Sequence, residues 1–172
     1  AAGDWSYIKF QDSSVDASFD GNGDYLSGSV LEHCVVAYGG TATNFGGAVQ
    51  TSLAAPAILN CAIQDSAGAG LTLQPSGLSK VANTTVTDSA HYGITCRLDA
   101  ANAVCDLRGN TITNSGYSGV YTSGAGSSSV FVLDGNTILN SGSSGVNLRS
   151  DETITISNNV ISSNSGGINA SW

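Results

Sequence analysis

Basic residues are scarce in this chain: five Lys and Arg stand against 13 Asp and Glu over 172 residues, a formal net charge of −8. Proteins that hold nucleic acid or an anionic membrane neutralise phosphates with clustered cations. The dispersed five exclude both as partners. No run of 18 apolar residues occurs, which excludes a membrane-spanning helix. Methionine is absent and 10% of residues are charged, a poor composition for helices. No stretch carries apolar residues at i, i+3, i+4 and i+7 across ten positions, so an amphipathic helical domain is excluded as well.

What the chain has is glycine, 22 residues of it, and short alternating runs such as TVTD, TITN and VNLR set between Gly, Asn and Ser. Such runs predict strands of three to five residues joined by tight turns. The runs also repeat. The second half reads LRGNTITN from Leu107, LDGNTILN from Leu133 and ISNNVISSN from Ile156. One apolar column falls at Trp5, Leu31, Ile58, Val81, Leu107, Leu133 and Ile156, and a second, five residues on, at Phe10, Val36, Ile63, Val86, Ile112, Ile138 and Ile161. A third follows glycine at Leu71, Ile94, Val120, Val146 and Ile168. A period of 23–27 residues is the mark of a solenoid. Stacking coils about 4.8 Å apart lets each strand pair with the same strand above and below. The expected fold is therefore all-β, a single parallel β-helix domain over 1–172 with about seven coils, standing alone or as part of a longer solenoid.

Four cysteines allow three pairings. Cys96 and Cys105 bracket the nonrepetitive excursion RLDAANAV, and a disulfide closing it is the favoured pair. Cys34 and Cys61 occupy equivalent positions in adjacent coils and read as free thiols. Neither His33 nor His91 is spaced to complete a tetrahedral metal site with a Cys pair. The opening AAGDW, without an initiator Met, reads as a mature end after signal cleavage or as a fragment boundary. The Asn/Ser/Thr/Gly-rich surface and the scarcity of Lys lead us to expect an exported protein.

The consensus NTIxNSxxxGV, together with the opening WSYIKFQDSSVDASFDGNGDYLSGSVLEHCVVAYGG, resembles the right-handed parallel β-helix repeats of secreted and surface bacterial proteins in the pectate-lyase-like superfamily. The resemblance covers the whole chain. It implies a right-handed coil and a wide choice of roles, from polysaccharide lyases and glycosidases to phage spikes, adhesins and filament subunits. The adjacent aspartates, Gly-His-Gly and Arg-x-Lys expected of polygalacturonase-like members are absent. The basic residues that a lyase would use are limited to Lys9, Lys80, Arg97, Arg108 and Arg149, and Arg108 and Arg149 each stand without an evident acidic ladder on the same face.

The strongest carboxylate pair is Asp65 with Asp88, neighbours about 5 Å apart in one ladder by strand spacing, a separation suited to a retaining glycosidase. Asn114, Asn140 and Asn164 share that column, which points instead to a ladder stabilising the coil corner. His91 is the remaining catalytic candidate. Alternating oxygen donors in Asp20-Gly-Asn22-Gly-Asp24, with Asp16 nearby, suggest either a short calcium loop or an ordinary turn. Phe45, Tyr92, Tyr117 and Tyr121 are candidates to stack on sugar rings, though scattered along the chain. Thr85, Thr87, Thr111, Thr113 and Thr137 form part of a grid of the type that binds ice, interrupted by Ala62, Gln64, Leu139 and Val160.

Terminal coils of a solenoid expose unpaired backbone and apolar columns. Trp5, Tyr7 and Phe10 at one end, with Ile161, Ile168 and Trp172 at the other, are the residues expected to stack head to tail on another copy or on flanking coils. The expected function is an extracellular or cell-surface structural or adhesive solenoid. The alternative is a carbohydrate-active module, glycan-binding or a divergent lyase or hydrolase, and ice binding is a minor third. An enzyme is not the favoured reading, and no cofactor is expected unless calcium.

Overall fold

The computed structural model describes residues 1–150 and 152–171 and contains strands but no helix among them. The chain winds through three parallel sheets. Sheet 1 stacks Val30–Glu32, Ala57–Leu59, Leu78–Ala82, Val104–Arg108, Val130–Asp134 and Thr153–Ser157. Sheet 2 stacks Val35–Ala37, Ala62–Gln64, Thr85–Thr87, Thr111–Thr113, Thr137–Leu139 and Val160–Ser162. Sheet 3 holds Ile8–Gln11, Val49–Ser52, Leu71–Leu73, Ile94–Arg97, Val120–Gly124, Ser144–Ser150 and Gly166–Ala170. One antiparallel hairpin, Ser18–Phe19 with Tyr25–Ser27, stands outside the coil.

The apolar columns are the pairing registers themselves. Leu31, Ile58, Val81, Leu107, Leu133 and Ile156 face one another along sheet 1. Val36, Ile63, Val86, Ile112, Ile138 and Ile161 do so along sheet 2. Val49, Leu71, Ile94, Val120, Val146 and Ile168 complete sheet 3. In the middle coils these side chains are fully buried in one continuous core. The glycines ahead of the third column allow close approach: a Cβ on Gly93 would collide with Ile112 Cγ2 and the Gly119 carbonyl. Cys96 and Cys105 are joined across the core by a disulfide, Cα to Cα 6.4 Å, and both are fully buried.

Two corners explain the polar columns. Between sheets 1 and 2, His33, Asn60, Asn83, Gly109, Gly135 and Asn158 adopt left-handed backbone with φ of 51–67°, a region that Asn and Gly tolerate best. The next residue turns inward. Asn110 donates from Nδ2 to the Val81 carbonyl at 2.9 Å and accepts the Thr84 amide on Oδ1 at 2.9 Å. Asn136 donates to the Leu107 carbonyl (2.9 Å) and accepts the Asn110 amide (2.9 Å), and Asn159 repeats this one coil on. Each side chain thus satisfies backbone groups that the corner strands in the core. The second corner carries the exposed ladder: Tyr38, Asp65, Asp88, Asn114 and Asn140 all have φ between 53° and 63°.

Three register expectations need correction. Trp5 does not head the sheet 1 column, because it lies ahead of the first strand and its ring packs against Gly39. Phe10 does not head the sheet 2 column, because Ile8–Gln11 pairs with Val49–Ser52 in sheet 3 and sets Phe10 opposite Thr51. Among the described residues there are six complete three-strand coils, preceded by a single sheet 3 strand. Apolar spacing marks inward positions but does not say which sheet a strand joins. Asn164 is not in the exposed ladder either. Ser163 takes the left-handed position, φ 56°, and Asn164 turns inward one residue later, accepting the Ser141 amide at 2.8 Å and donating to the Ile138 carbonyl at 3.1 Å.

The two ladders should respond differently to substitution. Asn136→Ala leaves several buried backbone groups without partners and is expected to lower the unfolding free energy by about 2–3 kcal/mol. Asn140→Gly keeps the left-handed corner and should change it by under about 0.5 kcal/mol. Urea unfolding of both variants checks the difference.

Candidate functional site

The face of sheet 3 gathers aromatic rings that the sequence scatters. Tyr121 follows inward Val120 and so projects outward between Thr95 and Asn147 of the neighbouring strands. Tyr92 precedes the strand below, and its ring stacks on Tyr121 at 4.6 Å between centroids and 22° between planes. Phe45 arrives from the longer loop ahead of Val49–Ser52, 6.1 Å from Tyr92 and 6.0 Å from Tyr121. Its carbonyl accepts the Thr72 hydroxyl at 3.0 Å, and the Arg97 guanidinium lies 5.8 Å from its ring centre.

His91 and Tyr117 extend the strip. The Tyr117 amide donates to the His91 carbonyl at 2.9 Å, so the two residues occupy the same position in successive coils. Their rings are near-parallel at 5.1 Å and 10°, and Tyr117 lies 5.8 Å from Tyr92. Phe45 and Tyr117 are 40% and 48% exposed, so the strip presents ring surface to solvent at both edges. Burial, then the neighbouring Tyr121 phenol, pushes the Tyr92 phenol above its ordinary pKa, and Arg149 opposes this. All four aromatic candidates and His91 therefore form one platform.

A second concavity lies where the hairpin overhangs the outer face of sheet 1, a cleft of about 600 Å³. Lys80 donates to the Gly23 carbonyl at 2.5 Å and packs 5.3 Å from the centre of the Phe19 ring, pinning the hairpin down. Arg108 donates from Nε to Asp106 Oδ2 at 3.0 Å and from Nη1 to Asp134 Oδ2 at 2.9 Å. Arg108 is thus bracketed by carboxylates on its own face, contrary to the expectation that it stands apart from acidic residues. Asp106 lies two residues before it on the same strand, and Asp134 sits directly opposite in the next coil. The signal was present in DLR of one coil and LDG of the next, and it requires the register to be seen. Hydrogen bonds from Ser157 and Asn158, and then Arg108, hold the Asp134 carboxyl below the usual range.

The other candidates are placed as follows. Asp88 accepts from Asn114 Nδ2 at 3.0 Å and from its neighbour Thr87 at 2.9 Å, and Asn140 continues the exposed ladder to Asn114 at 3.4 Å. Asp65 occupies the same corner position one coil earlier. Asp20 accepts the amides of Asn22 (2.8 Å) and Asp24 (2.9 Å), which close the hairpin turn and lower its pKa. Asp16 accepts the Ala55 amide at 2.8 Å and ties the hairpin base to the coil. On sheet 2, Thr85, Thr111 and Thr137 align in one row and Thr87 and Thr113 in the next, ended by Ala62, Val160, Gln64 and Leu139.

At the chain's first end, Trp5 donates its indole N–H to the Ala37 carbonyl at 3.0 Å and its ring lies against Gly39. Residues 3–5 therefore cover part of the exposed edge of Val35–Ala37. Tyr7 is exposed and Phe10 half-buried. At the other end Ile161 is half-buried against the core and Ile168 is exposed. Trp172 lies outside the described residues.

Acid should act through Asp20 and Asp134. Both have folded pKa values below the unfolded value, about 3.9 for Asp, so their stabilisation is present above that value and lost as pH falls through the lowered folded pKa. The melting temperature is expected to drop below about pH 4 and to do so less in Asp134→Asn, which can be followed by thermal unfolding from pH 7 downward.

Neither curated proteins nor solved structures match the chain. The family model of NosD, described as periplasmic copper-binding protein, matches residues 10–171. Copper prefers thiolates as Cu(I) and imidazole or oxygen donors in a square arrangement as Cu(II). Here Cys34 and Cys61 each donate to backbone carbonyls at 3.1 Å. His33 faces Glu32 at 3.5 Å from the outside of the corner, and His91 is stacked on Tyr117. Among the described residues no three His, Cys, Asp or Glu side chains converge, so the residues present do not fit a copper centre built from such a set. The match spans the solenoid from its first strand to its last, and the chain belongs to the NosD family.

Proposed function

We propose that this chain is an exported adhesive β-solenoid that holds glycan chains on the aromatic platform of sheet 3, at the cell surface. The observation that carries the reading is the convergence of Phe45, Tyr92, Tyr117 and Tyr121, from three different coils, into one partly exposed strip. A pyranose presents an apolar face of C–H groups, and an aromatic plane of matching size buries it while the ring hydroxyls stay hydrated. Rings displaced along the solenoid axis suit successive units of an extended chain better than a single sugar. The scarcity of Lys and Arg in the sequence favours neutral over polyanionic glycans.

Glycan-array binding by the intact chain is the direct test. Tyr92→Ala is expected to weaken binding about tenfold, the equivalent of about 1.4 kcal/mol, and Tyr92→Phe to keep it. Loss of binding in neither variant would sink the reading. The raised Tyr92 pKa supplies a further check. Folding favours its protonated form, so stability is fully present below the unfolded tyrosine value of about 10 and is lost as pH rises through the higher folded value. Absorbance titration should show one tyrosine ionising late, and Tyr92→Phe should remove it.

A second reading, head-to-tail stacking on another copy or on further coils, is favoured by the last coil. Thr153–Ser157, Val160–Ser162 and Gly166–Ala170 each pair on one side only among the described residues, and inward-column Ile168 is 51% exposed. The seven strand levels of sheet 3 correspond to a subunit rise of about 34 Å at 4.8 Å each. Negative-stain microscopy over a concentration series should show filaments with that repeat if stacking is the function, and discrete particles if it is not.

A further inference from the structure

We propose that the aromatic strip ends in a step that takes one sugar ring face-on, against the outer face of Tyr117. The inference rests on the glycan reading of the platform and assigns where a unit is gripped and what kind of unit it is. The rings of the strip are stacked along the solenoid. His91 and Tyr117 lie 5.1 Å apart with planes 10° from parallel, and Tyr92 and Tyr121 lie 4.6 Å apart at 22°. Both separations are close to the coil spacing of about 4.8 Å, so the rings overlap face to face like rungs, and the faces inside a stack are occupied by each other. A face stays open where a stack ends.

Tyr117 is such an end. Its ring contacts, His91 and Tyr92, both come from the coil below. In the coil above, its position is held by Ser143, whose amide donates to the Tyr117 carbonyl at 3.0 Å and so repeats the bond that Tyr117 makes to His91. The ladder thus passes from imidazole to phenol to a hydroxymethyl group too small to cover a ring. Beside it Ser144 pairs with Gly166 one coil further on, so no large side chain closes the step from above. Exposure follows this order: Tyr117 is 48% exposed, while His91, Tyr92 and Tyr121 are half-buried.

Chemistry and shape narrow the occupant. Ser143 and Ser144 border the step, and Asn147 follows Tyr121 in the neighbouring row. Hydroxyls and amides both donate and accept, which suits sugar hydroxyls rather than a charged group. Equatorial hydroxyls lie around the rim of a pyranose and leave C–H groups on its faces, whereas an axial hydroxyl would stand between the sugar and the Tyr117 ring. The step therefore fits a neutral pyranose with equatorial hydroxyls, held as the next rung of the ladder with its rim toward the serines.

NMR titration of the full chain with neutral β-linked gluco-oligosaccharides tests this. The C–H protons of the bound unit should move upfield under the ring current of Tyr117, and Tyr117→Ala should remove that shift. Ser143→Tyr adds a ring to the ladder and fills the step, so it should weaken binding about tenfold or more, while Ser143→Ala should retain it. An unchanged circular dichroism spectrum checks that Ser143→Tyr is folded. Galacto-oligosaccharides, which carry an axial hydroxyl, should bind more weakly. Binding that is kept or tightened in folded Ser143→Tyr but lost in Tyr92→Ala leaves the glycan on the strip and overturns the step alone. A glycan that binds without the upfield shift overturns it as well. No binding of any neutral oligosaccharide by the unaltered chain overturns the platform reading and the step together.

Discussion

Each strand of the inner coils pairs with chain one coil earlier and one coil later, and everything else in the molecule depends on that parallel register. A two-residue corner must recur at the same height in every coil, or the three columns fall out of line. The inward asparagines enforce this. Asn110, Asn136 and Asn159 each bond two backbone groups of the coil before, so a slip of one residue would break side-chain and main-chain bonds together and bring polar groups to the core. The ladder begins with Thr84, whose shorter hydroxyl reaches the Ala82 carbonyl and receives the Cys61 amide. Cys61 and Cys34 continue it as small side chains with weak donors.

Register also generates both candidate sites. His91 and Tyr117 stack because they hold the same position in successive coils, and Asp134 meets Arg108 because the two residues are paired across sheet 1. Repetition alone would give only flat rows. The departures from repetition make relief: the loop that brings Phe45 over Tyr92 and Tyr121, and the hairpin that Asp16 and Lys80 fasten over sheet 1. A rigid rod with inserted loops holds side chains at fixed distances without needing a closing motion, which suits recognition of extended ligands.

Inward positions were legible because burial imposes a period. The columns through Leu107, Ile112 and Val120 follow from apolar spacing and from the glycine before Val120. The exposed Asp and Asn corner follows from the tolerance of those residues for left-handed backbone. Where a coil departs from the common spacing, the inference slips by a residue, as it did at Asn164, or by a whole sheet, as it did at Phe10. The aromatic platform was legible only as a list of rings. Phe45 and Tyr121 are brought within 6.0 Å by the loop ahead of sheet 3, whose length no period constrains.

By itself the sequence determined an all-β coil, its three apolar columns, its acidic balance and the residue types that could meet a ligand, because burial and backbone tolerance act on each coil separately and leave a repeating trace. Tertiary structure alone decided which outward side chains become neighbours. Outward positions carry no burial constraint, and their contacts depend on sheet membership and loop path. That is why Lys80, Asp106, Arg108 and Asp134 read as unrelated charges along the chain and stand together on the outer face of sheet 1.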